Sequence, residues 1–254
     1  MSEQVFLASG LDPSGGAGFL ADASVCRLLG VRPVGVLTAS TVQDSQGVRR
    51  VVPTDVELLG EQALALLSDV EIKAAKIGAL GNLEVTRCLS RALDLTSAPA
   101  VWDPVNRPSS GPVSLFQGES REALEELASH ITVVTPNLFE LGLLLGKKVE
   151  AEDAGKATQA LGEQHGISVL LTGVREENEV VDWIYSEGEL EPQRNTWVDG
   201  AEDVHGAGCA LSTAVAAYLA KGLATPDACR SAVKWLHQQL PNAALPGRGA
   251  KAIV

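Results

Sequence analysis

The chain has 254 residues, 45% of them hydrophobic and only 4% aromatic, with a net charge of −12 at pH 7. That length suits one large α/β domain or two small ones, with a core built mostly of Leu, Val and Ala. The acidity argues against a nucleic-acid partner, and no apolar run reaches the ~18 residues of a membrane span. Met1-Ser2-Glu3-Gln4 lacks the basic start of a signal peptide, so a cytoplasmic protein is expected.

Residues 5–9 form a short apolar strand ending at Gly10, followed by the turn-rich Asp12-Pro13-Ser14-Gly15-Gly16-Ala17-Gly18. Residues 19–29 have helical spacing and stop at Gly30, and 34–39 are a β-branched strand. Residues 56–67 read as a helix with Thr54 and Asp55 as candidate caps. A strand over 74–77, a helix over 84–93 and a strand over 100–102 ending at Asp103-Pro104 come next. They are followed by a helix over 121–127, a strand over 131–134, helices over 137–145 and 154–163, and a buried strand over 169–171. Residues 180–185 and 190–194, joined around Glu187-Gly188, read as a hairpin, and helices over 210–220 and 226–240 close the pattern.

Strands alternating with helices predict a mostly parallel central sheet covered by helices on both faces. With no linker or repeat in view, one domain over residues 1–254 is the economical expectation. Ligands of such sheets bind beyond the carboxyl ends of the strands. The polar and Gly-rich clusters fall there, at residues 12–18, 41–44, 103–111, 137–140 and 172–173.

His205-Gly206-Ala207-Gly208-Cys209 precedes an apolar helical run. The glycines permit a tight turn and close approach of a ligand, and a helix start offers unpaired N–H groups to an anion. Cys209 in the first turn is where that field favours thiolate. The competing reading is a Gly-rich loop before a helix with a buried Cys. Ser14-Gly15-Gly16-Ala17-Gly18 is neither GxGxxG with a following acid nor a Walker loop, since no Lys-Ser/Thr follows. Asp22, one turn into the next helix, either reaches the same space or is an exposed acid near a helix start.

Asn137 and Glu140 share one face of a starting helix. Taken alone they fit a capping box better than a magnesium–water shell beside phosphate. Asp103 at a strand end is a turn residue or a cation ligand. His130, His165 and His237 read as surface or structural, and His205 as shaping the glycine loop. The cysteines (26, 88, 209 and 229) show no CxxC spacing, so zinc is not expected and they are free thiols in a reducing compartment.

Taken together and in order, these clusters resemble the hydroxymethylpyrimidine/phosphomethylpyrimidine kinases of thiamine biosynthesis, in the ribokinase superfamily. The resemblance covers nearly the whole chain. It is carried by Ser9-Gly10-Leu11-Asp12-Pro13-Ser14-Gly15-Gly16-Ala17-Gly18 with Ala21-Asp22, by residues 38–44, and by Lys76-Ile77-Gly78. Asp103-Pro104-Val105, Thr135-Pro136-Asn137 with Glu140, and residues 205–209 complete it.

The resemblance implies a ribokinase-like three-layer α/β sandwich and ATP-dependent phosphorylation of 4-amino-5-hydroxymethyl-2-methylpyrimidine, then of its monophosphate to the diphosphate. It places Gly10, Asp22 and Gln43 at the pyrimidine, with Ala79 and Val105 as apolar walls. Gly206, Ala207, Gly208 and Cys209 form the anion hole, and Cys209 is the base. Asn137, Thr172, Gly173 and His205 fall on the ATP and phosphate side, and Glu140 with Asp103 on Mg²⁺. A homodimer is also implied.

The chain departs from the family pattern at several places. Thr172-Gly173 stands where Lys-Gly is frequent, and Ala207 where a Thr is frequent. Residues 106–111 lack the usual Lys before Ser-Gly, with Arg107 as a substitute cation. Ala79 replaces a Met, and Pro246-Gly247-Arg248-Gly249 keeps part of a glycine-rich tail. Two rival readings are a pyridoxal/pyridoxine kinase of the same superfamily and a weakly catalytic pyrimidine-binding homologue.

Overall fold

A computed structural model of the chain describes residues 2–107 and 113–253. The first half builds β1 (Gln4–Leu11), α1 (Gly18–Leu28), β2 (Arg32–Asp44), β3 (Gly47–Pro53), α2 (Val56–Asp69) and β4 (Ala74–Ile77). It continues with β5 (Gly81–Asn82), α3 (Leu83–Leu93), β6 (Ala100–Trp102), β7 (Phe116–Gln117), α4 (Ser120–Leu127) and β8 (Ile131–Val134). Then come α5 (Leu138–Leu145), α6 (Ala154–His165), β9 (Ser168–Glu176), β10 (Glu179–Ser186) and β11 (Glu189–Thr196). The chain closes with β12 (Val204–His205), α7 (Ala207–Ala220), α8 (Thr225–Gln239) and β13 (Lys251–Ala252).

Nine strands form one sheet in the order β11-β10-β9-β8-β6-β4-β1-β2-β3. From β2 to β9 the neighbours run parallel, and β3, β10 and β11 add antiparallel edges. The period-2 alternation of β1 sends Phe6 and Ala8 into the layer holding α2 to α6, and Val5 and Leu7 into the layer holding α1, α7 and α8. The expected mostly parallel sheet with helices on both faces is therefore present. α7 is apolar almost all round because it is interior, buried from Ala210 to Ala217. Among the described residues no helix is long and apolar enough to cross a membrane.

Three expectations change. β2 runs to Asp44 and turns back as β3, so Thr41 and Gln43 lie within a strand and not in a loop beyond one. Its polar alternation reflects a ribbon edge beside the site, which hides the strand from a search for apolar runs. β9 continues through Thr172 and Gly173 to Glu176, with an irregularity in its pairing to β10 beside Asp182. The Gly-rich tail also has a partner: Gly249 and Ala250 donate their N–H groups to Ser45 Oγ and Ser45 O at 3.0 and 2.8 Å, and β13 pairs with β12.

Candidate active site

A cavity of about 190 Å³ opens at the carboxyl ends of β1, β4, β6 and β8. It is lined by Gly10, Gln43, Ala79, Asp103, Val105, Asn137, Glu140, Thr172 and residues 205–209, which covers every candidate except Asp22 and Gly173. The wall also contains Asp12, Lys76 and Arg107.

Gly206 caps α7 with φ of 78°, and a Cβ there would lie 2.0 Å from Gly16 O, so the two glycine loops meet backbone to backbone. The first intrahelical bond of α7 runs from Ala210 N–H to Gly206 O at 2.8 Å. The N–H groups of Ala207, Gly208 and Cys209 thus have no partner within the helix. Space is open in front of them, since a Cβ on Gly208 would meet nothing within 4 Å. This is the geometry of an anion hole at a helix N-terminus. Ala207 brings no hydroxyl to it.

The setting of Cys209 differs from the expectation of a thiolate. Burial pushes its thiol up; Lys76 opposes this, and the carboxylates of Asp103 and Asp22 reinforce it. The thiol in turn lowers the pKa of Asp103. Asp103 is itself held above the usual carboxylate range, by burial first and despite Lys76. Ser212 Oγ donates to Cys209 O at 2.9 Å and lies 3.3 Å from Asp103 Oδ2, tying the helix turn to the end of β6.

Asp22 does not line the cavity. It is fully buried behind Cys209, where Lys76 Nζ lies 2.8 Å from Oδ2, Ser9 Oγ donates to Oδ2 at 2.5 Å and Thr213 Oγ1 donates to Oδ1 at 2.7 Å. Neither proposed role fits, substrate contact or exposed acid. Its place on the inner face of α1 aims it at the buried lysine of β4. Burial works against the charge of Lys76, but Asp22, Cys209 and Asp103 together hold its pKa above the ordinary lysine value. A lysine inside a strand otherwise made of Ala and Ile was the signal available in the sequence.

Asp12 folds the first loop around itself. Oδ1 accepts Ser14 N–H and Ser14 Oγ–H, both at 2.8 Å, and Oδ2 accepts Ala17 N–H at 3.1 Å. His205 Nε2 lies 3.0 Å from Asp12 Oδ2 and 3.0 Å from Gln43 Nε2. Burial opposes the charge of Asp12, but His205 and Ser14 outweigh it and hold its carboxyl below the usual carboxylate range. His205 therefore joins the β1 loop, β2 and the start of α7.

Asn137 and Glu140 form the capping box. Glu140 N–H donates to Asn137 Oδ1 at 2.9 Å, and Asn137 N–H donates to Glu140 Oε2 at 3.0 Å. The carboxyl also faces the cavity. Burial, then the charge of Asp103, pushes it up to about 8. Two buried carboxyls, one of which raises the pKa of the other, fit a cation between them. Among the described residues, no three His, Cys, Asp or Glu side chains gather around a metal position. The donor set thus fits Mg²⁺ that arrives with phosphates and water, not a protein cage.

Thr172 lines the cavity, its N–H donating to Pro136 O at 2.9 Å. Gly173 instead turns away and donates its N–H to Asp182 Oδ1 at 2.8 Å. Arg107 rests over the Phe139 ring, 4.6 Å from its centroid. Residues 108–111 of the expected phosphate segment lie outside the described residues.

A parallel sheet with an anion hole, a thiol and paired carboxylates at its carboxyl edge defines a ribokinase-like kinase of small molecules. The solved pyridoxal kinase from Staphylococcus aureus in complex with pyridoxal superposes with a TM-score of 0.88 at 27% identity, covering 100% of this chain and 93% of that one. The phosphomethylpyrimidine kinase from Clostridium difficile superposes with a TM-score of 0.78 at 26% identity, covering 94% and 99%. A hydroxymethylpyrimidine/phosphomethylpyrimidine kinase from Rhizobium meliloti is 33% identical over 231 residues, 90% of this chain and 87% of that protein. Residues 12–253 match the phosphomethylpyrimidine kinase family. The chain belongs to that family.

Proposed function

We propose that this chain is an ATP-dependent kinase that phosphorylates 4-amino-5-hydroxymethyl-2-methylpyrimidine and then its monophosphate, in thiamine biosynthesis. The observation that carries the reading is the open space in front of the α7 N–H groups beside Cys209, in the cavity that also presents Gln43, Ala79 and Val105. Gln43 offers the aminopyrimidine edge a donor and an acceptor, and Ala79 and Val105 flank the ring.

The hydroxymethyl oxygen lies against Cys209 and attacks the terminal phosphorus of ATP. The new O–P bond forms as the bond to the ADP oxygen breaks. The oxygen's proton passes to Cys209 sulfur while the thiol proton moves to the neighbouring Asp103, whose raised pKa suits it as acceptor. The first-turn N–H groups of α7 hold the transferred phosphoryl oxygens, and Lys76 offsets negative charge near the sulfur. Mg²⁺, when bound through Asp103 or Glu140, neutralises phosphate charge. Asn137 and Thr172 stand on the nucleotide side.

One catalytic domain over residues 1–254, a homodimer and a cytoplasmic location complete the reading. The exposed apolar Leu58 and Leu64 of α2 support the dimer. The free Cys26, Cys88 and Cys229 suit a reducing compartment.

The likeness to pyridoxal kinase structures makes pyridoxal the competing substrate. Coupled assays of ADP release with the pyrimidine, its monophosphate and pyridoxal, with and without Mg²⁺, separate the two. Turnover of both pyrimidines is expected. Turnover of pyridoxal alone would overturn the assignment, and pyrimidine binding with no turnover would leave a non-catalytic homologue.

A further inference from the structure

Gln43 sits between two groups whose hydrogen-bonding roles are fixed by third parties. On one side, Thr41 Oγ1 donates its only proton to Leu11 O at 2.8 Å, so at 3.2 Å from the Gln43 carboxamide it has only lone pairs to offer. On the other side, the Asp12 carboxylate can only accept. It already takes three protons, from Ser14 N–H, Ser14 Oγ–H and Ala17 N–H, and the fourth comes from His205 Nε2. His205 Nε2 therefore carries hydrogen, and this one N–H is shared between Asp12 Oδ2 and the Gln43 carboxamide, both at 3.0 Å. With Nε2 toward His205 and Oε1 toward Thr41, the Gln43 carboxamide sets donor against donor and acceptor against acceptor. Carboxamide oxygen and nitrogen exchange by a half-turn, and hydrogen-bonding partners decide between them. Both contacts ask for the same half-turn: oxygen toward His205, NH₂ toward Thr41.

We infer that Asp12 and His205 are positioning residues that lock the Gln43 carboxamide in one orientation, and so fix which way round an aminopyrimidine lies in the cavity. The inference rests on the pyrimidine reading above. A carboxamide edge presents one donor beside one acceptor, and a 4-aminopyrimidine presents the complementary pair in its amino group and neighbouring ring nitrogen. Reversing the amide reverses the pair, and the ring must then turn over to match it. Turned over, it carries the 5-hydroxymethyl group away from the first turn of α7. The ring of His205 is itself confined, because a Cβ on Gly16 would lie 2.8 Å from His205 Cδ2. Asp12 is anchored by its own loop. The rigid Asp12–His205 pair thus converts the fold of the first loop into the orientation of a substrate two elements away.

The test compares the 4-amino substrate with its 4-oxo analogue, whose ring N–H and carbonyl reverse the donor and acceptor. Dissociation constants come from calorimetry without nucleotide, on protein whose folding is checked by thermal melting. A site with a fixed donor–acceptor pair rejects the reversed edge, so the wild type is expected to prefer the amino compound by ~10²-fold or more. His205→Phe frees the amide to turn, and Thr41→Val, of similar volume, does so from the other end. Each is expected to cut the preference to within ~3-fold, mainly by improving binding of the oxo compound. His205→Gln, which can donate to both Asp12 and Gln43, is expected to keep it. A merely structural role would weaken both ligands in parallel. That result, or an unchanged preference in both His205→Phe and Thr41→Val, would overturn the inference alone. A wild type that binds neither compound would overturn the pyrimidine reading and the inference with it.

Discussion

Lys76→Met replaces a buried ammonium with an apolar chain of similar length. In the wild type, Nζ lies 2.8 Å from Asp22 Oδ2, and both side chains are fully buried. Removal of Lys76 leaves the Asp22 carboxylate with only the hydroxyls of Ser9 and Thr213. Breaking a buried ion pair from one side costs about 3–5 kcal/mol. At ~2–4 °C per kcal/mol for a chain of this size, the loss in Tm is roughly 6–20 °C. Lys76→Met combined with Asp22→Asn is expected to regain most of it, since the Asn oxygen still accepts from one hydroxyl, its NH₂ donates to the oxygen of the other, and no buried charge remains. Calorimetry on both variants measures the effect. A single-variant loss under ~1 kcal/mol, or a double variant no more stable than the single, would refute the argument that the pair is mutually dependent. Turnover by the double variant adds a second reading. A folded protein with low kcat assigns Lys76 an electrostatic effect at Cys209 beyond holding Asp22.

Cys209→Ala is expected to lower kcat by ~10²-fold or more with little change in pyrimidine affinity, on the size of general-base effects, and steady-state kinetics with calorimetry check it; an unchanged kcat removes the thiol from the proton path. Asp182→Asn tests a buried carboxyl that burial pushes up to about 6 from 3.8, against the Gly173 N–H it accepts. The folded state retains this proton where the unfolded chain has lost it, so stability falls as pH rises between the two values and is flat above. At neutral pH the charge costs up to about 3 kcal/mol, so Asp182→Asn should melt above the wild type at pH ~7 and level with it near pH ~3.5. A gap in Tm that does not change with pH refutes the burial argument.

Much of the fold was legible because its strands announce themselves. β1, β6 and β8 are short, largely apolar and buried runs, and β4 departs from that pattern only at Lys76. β2 beyond Ala39 was not legible, because Ser40, Thr41, Gln43 and Asp44 break the apolar run where the ribbon leaves the sheet. The continuation of β9 through Thr172 and Gly173 was hidden for the same reason. In the site, the glycine loop, Cys209, Asn137 and Glu140 could be located from local patterns, since each sits at a helix start. Asp22 could not. Its partners lie 13, 54 and 191 residues away in sequence, and nothing near it shows that a lysine waits across the sheet. The thiol state of Cys209 was misjudged for a related reason. The first turn of α7 supplies a favourable field, but burial and two carboxylates brought in by β6 and α1 outweigh it.

The same carboxylates explain how an acidic chain can handle phosphates. Lys76 acts on the Cys209 sulfur, yet its charge is matched by Asp22 at 2.8 Å. What remains facing the cavity from that side is Asp103, and across from it Glu140, both held above the ordinary carboxyl range. Neither Thr172 nor Ala207 adds a charge or, at 207, a hydroxyl. Arg107 is engaged with Phe139 at the rim. Among the described residues, the fixed attraction for a polyphosphate therefore comes from the N–H groups at the start of α7, worth a fraction of a charge, and from Arg107 at the rim. An anion of several charges is held in such a site only if it brings a counter-ion. The paired carboxyls favour that complex: burial favours their neutral form in the empty site, and an arriving metal favours the ionised form that can bind it. Nucleotide affinity in this protein should accordingly depend on divalent metal more steeply than pyrimidine affinity does, because Gln43, Ala79 and Val105 meet a neutral ring.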